Sequence, residues 1–180
     1  MIHDPRLIDL LAKLPTRDFA GDVFRATRRS LDATTPSTSG GRWAPLDGPA
    51  VLYTSMERDG ALAEIAFHWG QFSPRPSKSA LVHRLCVQSN RTLRLIRADL
   101  EMLGVDGAHY DDPNYHVTEK IGAVVHFIGC DGLIVPSARW PCENLILYTD
   151  NLAMSASLDV KSAEEVDWQE WARCNGRLEP

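Results

Sequence analysis

Apolar positions along the chain mark out a short series of elements. Leu7, Ile8, Leu11 and Leu14 fall at helical spacing, which predicts an opening amphipathic helix over 5–14 ended by Pro15. Residues 22–26 read as a strand that carries one charged member, Arg25. A Ser/Thr/Pro-rich connection over 30–39 leads to Gly40 and Gly41, and 50–53 is a short apolar run bounded by turn residues, as in a buried strand. Leu62, Ile65, Ala66 and Trp69 then form the stripe of a helix beginning near Asp59. After a Pro/Ser linker over 71–79, alternation predicts a strand at 80–87 and another at 92–96. The polar stretch 104–114 reads as a solvated turn, and Ile121, Val124, Val125 and Ile128 mark a buried helix over 118–127. Its His126 reads as a core or surface residue. Strands at 132–135 and 144–148 follow, and Ser162-x-x-Glu165 has the form of a capping box opening a helix through Trp168 and Trp171.

The stretch from Gly40 to Glu64 is the one that brings chemistry together. The glycine pair permits a tight turn that presents Arg42, whose planar fork suits phosphate or carboxylate. Tyr53 stands near the end of its strand, where a ring can leave the core and face a cleft. Glu64 lies off the helical stripe, with Gly60 and Ala61 one turn back leaving open space and Phe67 and His68 one turn on. A helical Glu is ordinarily a solvated surface residue; the company of Arg42 and Tyr53 makes this one a candidate. Arg25, flanked by apolar residues, reads either as an edge-strand side chain reaching water or as a second cation beside Arg42.

Composition narrows the classes. A chain of 180 residues suits one domain, here taken as 1–180 with a core over about 20–150. Net charge −5 and a pI near 5.6 leave no basic footprint, so direct nucleic-acid binding is not expected. No membrane span and no signal peptide is read, the N-terminal residues 1–5 lacking a charged region before an apolar run, and a cytoplasmic location is expected. Cys86, Cys130, Cys142 and Cys174 form no C-x-x-C pair, which points to free thiols and to no metal site. Nucleotide-binding P-loops, dinucleotide-binding glycine fingerprints, zinc-protease helices and nucleophile elbows are all missing.

Arg25 after a strand, Gly40-Gly41-Arg42-Trp43, Leu52-Tyr53-Thr54-Ser55, Ala61 to Glu64, Asp131-Gly132-Leu133 running to Ser137, and Asn144-Leu145 together resemble the RES domain, the toxin half of RES–Xre toxin–antitoxin modules. The resemblance spans Arg25 to Tyr148. It implies a single compact α+β domain, a split mixed β-sheet with flanking helices, similar to the ADP-ribosyltransferases that use NAD+. It also implies an enzyme that takes NAD+ as substrate without a metal, and a neutralising Xre-like helix-turn-helix antitoxin, in a higher-order toxin–antitoxin oligomer or a simpler complex. Carried over by position, the family's arginines match Arg25 and Arg42, its tyrosine Tyr53, its glutamate Glu64 and its serine Ser137. Ala44 departs from the Asn that often follows the family's Trp.

Under that resemblance, Glu64 holds a ribose hydroxyl and stabilises an oxocarbenium-like ribose, as carboxylates do in glycosidases. Arg25 and Arg42 clamp the pyrophosphate, Tyr53 stacks on nicotinamide, and Ser137 orients the ribose or the amide. The expected activity is toxin-type NAD+ consumption by glycohydrolase or phosphorylase chemistry. The alternatives are ADP-ribose transfer to a protein acceptor and a non-catalytic nucleotide- or protein-binding module in which Arg42 and Glu64 form a structural ion pair.

Overall fold

The computed structural model describes residues 3–178; Met1 and Ile2, where the sequence reading of the N-terminus began, and the last two residues lie outside the described residues. In chain order the elements are α1 (Pro5–Leu11), β1 (Thr16–Arg28), β2 (Val51–Ser55), α2 (Arg58–Gly70), β3 (Ala80–Arg94) and α3 (Arg97–Met102). A single 3-10 turn (Gly107–His109), α4 (His116–Phe127), β4 (Gly132–Pro136), β5 (Glu143–Tyr148), β6 (Ser157–Val166) and α5 (Trp168–Cys174) complete the chain. No described helix is long and apolar enough to cross a membrane.

The six strands form one mixed sheet with a split in it. On one side β3 lies between β1 and β6, antiparallel to both. On the other, β5 lies between β2 and β4. The halves meet at two seams: a parallel register of Thr92–Arg94 with Gly132–Ile134, and the lone pair of Phe24 with Ser55. Beyond that pair β1 and β2 diverge. A cleft opens there, and the residues from Arg25 onward line it.

Alternation along the strands distributes three apolar clusters. Leu145 and Leu147 point with Leu52, Val23, Leu85 and Val87 into the space between the two halves. Ile146 and Tyr148 point the other way, against Ile121, Val124 and Val125 of α4. Thus β5 is buried on both faces, which is why it reads as a continuous apolar run. On the outer face of β1 and β3, the α2 stripe of Leu62, Ile65 and Ala66 packs with Trp168 and Ala172 of α5.

Three sequence expectations are corrected. The strands expected at 80–87 and 92–96 are one strand, because the register advances by three residues between Ser89 and Thr92 while β1 advances by two. The irregularity is satisfied by Asp131, whose carboxylate accepts from the N–H groups of Asn90 at 2.7 Å and Arg91 at 3.0 Å. Ser162 and Glu165 do not cap a helix; they sit in β6, paired with β3. The cap is Asp167, which accepts from the N–H groups of Gln169 and Glu170, both at 3.0 Å. The segment 104–114 is more than a solvated turn, since Tyr110 within it is 2% exposed and part of the main core.

Gly122 of α4 lets the helix touch the loop that precedes β2: a Cβ there would stand 1.9 Å from the Trp43 carbonyl oxygen. Gly122→Ala must therefore push the Arg42–Trp43 backbone away from α4. The expected cost is about 3 kcal/mol, read as a melting temperature lowered by roughly 6–12 °C in a thermal unfolding scan.

Candidate active site

A cavity of about 1610 Å³ occupies the split, with Arg25, Arg42, Tyr53 and Glu64 all on its wall. Arg25 reaches it from β1, Arg42 from the loop before β2, Tyr53 from β2 and Glu64 from the middle of α2. Four residues from separate parts of the sequence therefore share one space.

Glu64 is held from behind. Ser137 Oγ donates to its Oε1 at 3.0 Å and Asn144 Nδ2 donates to the same oxygen at 2.8 Å. Both bonds fall on Oε1, so Oε2 has no partner among the described residues and is free to meet a ligand. Ser137 is itself fixed, because its oxygen accepts from the N–H groups of Arg139 at 3.0 Å and Trp140 at 3.2 Å. Ser137 is only 4% exposed and absent from the cavity wall, and the contact it makes toward the site is with Glu64. The open space expected beside Glu64 at Gly60 is filled: a Cβ at Gly60 would meet Ser55 Oγ at 2.2 Å and Cys142 Sγ at 2.6 Å. Gly60 instead lets the start of α2 press against β2 and the segment before β5.

Arg42 leaves a turn closed by reciprocal hydrogen bonds between Gly41 and Ala44. Gly41 has φ +150°, and a Cβ there would collide with the Tyr53 hydroxyl at 2.7 Å. The Arg42 guanidinium donates to the carbonyls of Tyr110 at 2.6 Å and Asp112 at 3.3 Å. It also lies over the rings of Tyr110 and Tyr115, 5.0 and 4.5 Å from their centroids. The Arg42–Glu64 ion pair considered from sequence does not form; each group has its own neutral partners.

Arg25 is half-buried and donates to the carbonyl of Ala33 at 3.1 Å. Among the described residues no carboxylate lies within ion-pair distance of either Arg25 or Arg42. Burial pushes the Arg25 guanidinium down to about 10, an effect that the more distant Asp32 only partly offsets. Tyr53 is pushed well above its ordinary value by burial, with the N–H of Trp43, donating to its oxygen at 3.3 Å, opposing that rise. The phenol therefore stays neutral and offers its ring to the cavity.

Several groups at the site escaped the sequence reading. Asn144 was visible as part of the family resemblance, but its contact with Glu64 was not. Arg139 lines the cavity, its guanidinium 3.3 Å from the Phe67 ring centroid and its Nη2 buried without a partner among the described residues. Tyr110 and Tyr115, which cage Arg42, come from a segment whose polar composition concealed them. His68, read from sequence only as a helical neighbour of Glu64, lines the cavity as well.

A family model described as the RES domain matches residues 16–169. The chain belongs to the RES domain family. No curated protein matches it. Its fold is similar to that of a chain in the "Crystal structure of the M.tuberculosis MbcT-MbcA toxin-antitoxin complex", with a TM-score of 0.78 at 14% identity, over 96% of this chain and 98% of that one. At that identity the likeness concerns the fold, the RES-domain arrangement of a split mixed sheet with flanking helices.

In this RES domain Arg25 carries a standing electrostatic penalty. Its folded pKa lies below its unfolded one, so the cost of burying the cation is fully present below about pH 10 and fades at higher pH. By the size of the change that cost is about 3 kcal/mol. Arg25→Met is expected to raise the melting temperature of the ligand-free protein by several degrees at neutral pH, because a well-packed apolar side chain replaces a buried cation.

Proposed function

We propose that this RES domain is the toxin of a toxin–antitoxin pair and that it consumes NAD+ by cleaving the bond between nicotinamide and ribose. One observation carries the reading: a carboxylate anchored through one oxygen faces a cavity shared with Arg25 and Arg42, neither of which has a carboxylate partner among the described residues. Such a cavity favours a ligand that is anionic in one part and develops positive charge in another. NAD+ is such a ligand, with a pyrophosphate and a ribose carbon that becomes oxocarbenium-like as nicotinamide departs.

In this mechanism Arg25 and Arg42 hold the pyrophosphate. The neutral Tyr53 ring packs against nicotinamide. Glu64 uses Oε2 to hold a ribose hydroxyl and to face the developing cation. Ser137 and Asn144 prevent the carboxylate from rotating, so little reorganisation accompanies charge development. Opposite charges about 4 Å apart at an effective dielectric near 20 interact by roughly 4 kcal/mol. Realised only in the transition state, that is about a thousandfold in rate. Nicotinamide leaves without needing a proton or a metal.

The partner follows from the same reading. The similar structure is described as a toxin–antitoxin complex, and an enzyme that destroys NAD+ in its own cytoplasm requires restraint. An Xre-like antitoxin that closes the cavity supplies it.

The decisive variant is Glu64→Gln, which keeps an amide oxygen able to accept from both Ser137 and Asn144 and removes only the charge. Nicotinamide release from NAD+, followed by NMR on the antitoxin-free chain, should fall about a thousandfold, with the melting temperature within a few degrees of the parent. Release that persists in the variant would overturn the role of Glu64. A parent chain that leaves NAD+ intact would overturn the activity.

A further inference from the structure

Glu64 and His68 stand one turn apart on α2 and both line the cavity. Residues at that spacing are neighbours on a helix surface, roughly 6 Å apart at Cβ. The His68 ring packs edge-on against Phe67, with centroids 5.4 Å apart. Neither of its nitrogens has a hydrogen-bond partner among the described residues. It is thus an unengaged imidazole beside the carboxylate that faces the ribose.

The charged groups facing His68 come from three places: Glu64 on its own helix, Arg139 between β4 and β5, and Arg42 in the loop before β2. Burial lowers its pKa most; Glu64 opposes that, while Arg139 and Arg42 add to it. His68 is therefore neutral near pH 7 and able to receive a proton. Arg139, fixed over Phe67, keeps a cation close by.

Resting on the proposed cleavage of NAD+, we infer that His68 is the general base that takes the proton of a neutral hydroxyl acceptor, water in the hydrolytic case, as it attacks ribose C1′. The C1′–N bond breaks and its electron pair leaves with nicotinamide, which departs neutral. The acceptor oxygen bonds to C1′, and its proton passes to a ring nitrogen of His68 and then to solvent. The reaction consumes one water and releases one proton. A phosphate dianion attacks through an oxygen that carries no proton, so it needs no base. Dependence on His68 therefore separates hydroxyl acceptors from anionic ones.

The test follows nicotinamide release by the antitoxin-free chain and by His68→Asn between about pH 5 and 8, with and without added inorganic phosphate. ADP-ribose affinity and thermal unfolding are measured beside it. With water as acceptor, kcat should fall about a hundredfold in the variant, with KM and ADP-ribose affinity nearly unchanged. The parent should lose activity as pH falls below 6.5, and that limb should be missing from the variant. Phosphate at about pH 8 should restore release in the variant more than it stimulates the parent. A variant with the parent's rate and pH profile overturns the assignment. So does one equally impaired with water and with phosphate. Both outcomes leave the proposed function standing, whereas a parent that releases no nicotinamide overturns that function first.

Discussion

The two hydrogen bonds that converge on Glu64 Oε1 fix the position of the carboxylate that faces the cavity. They tie the middle of α2 to Ser137 just past β4 and to Asn144 near the start of β5. The tie requires close approach, and Gly60 permits it because no Cβ stands between α2 and the Ser55–Cys142 contact. Ser137 adds a second constraint by accepting two backbone N–H groups, which shape the turn that carries Arg139 to the wall. A carboxylate with one oxygen committed and one free is restrained in direction before any ligand arrives.

The split in the sheet supplies the space. Because β1 and β2 share only the pair Phe24–Ser55, their continuing segments separate and leave side chains from β1, β2 and α2 around one void. The long pairing of β1 with β3 and the flanking β2–β5–β4 unit hold each side of the gap together. The site is therefore a consequence of where strand pairing stops.

The cavity's two arginines from β1 and the loop before β2 are held by neutral groups, with no carboxylate at ion-pair distance among the described residues. Arg42 is held by carbonyls and tyrosine rings, and Arg25 by a single carbonyl. Pairing Arg25 with an internal carboxylate would have relieved its burial penalty and taken up the cation. The cations instead remain available to an anion, and the chain carries the cost in its ligand-free state, as is common at functional sites.

Local pattern determined a large part of this protein. The helical stripe of α2, the buried runs of β2, β4 and β5, and the helix α4 are legible because each buries a periodic apolar face within a few residues. The glycine pair before Arg42 was legible for the same local reason, and Arg25, Arg42, Tyr53 and Glu64 stood out as residues whose type conflicts with, or exceeds, what their element needs. Long-range pairing decided the rest. Residues Ser157–Val166 carry a weak, mostly exposed pattern and become a strand only because β3 offers an edge. Ser89 to Thr92 looks like a break and becomes a bulge because Asp131, distant in sequence, satisfies its amides. Likewise Asn144, Arg139, Tyr110 and Tyr115 join the site through contacts across the sheet and its loops, and separations of that kind leave no periodic trace in a sequence, whereas His68 lies one turn from Glu64 on α2, where helical spacing already placed it.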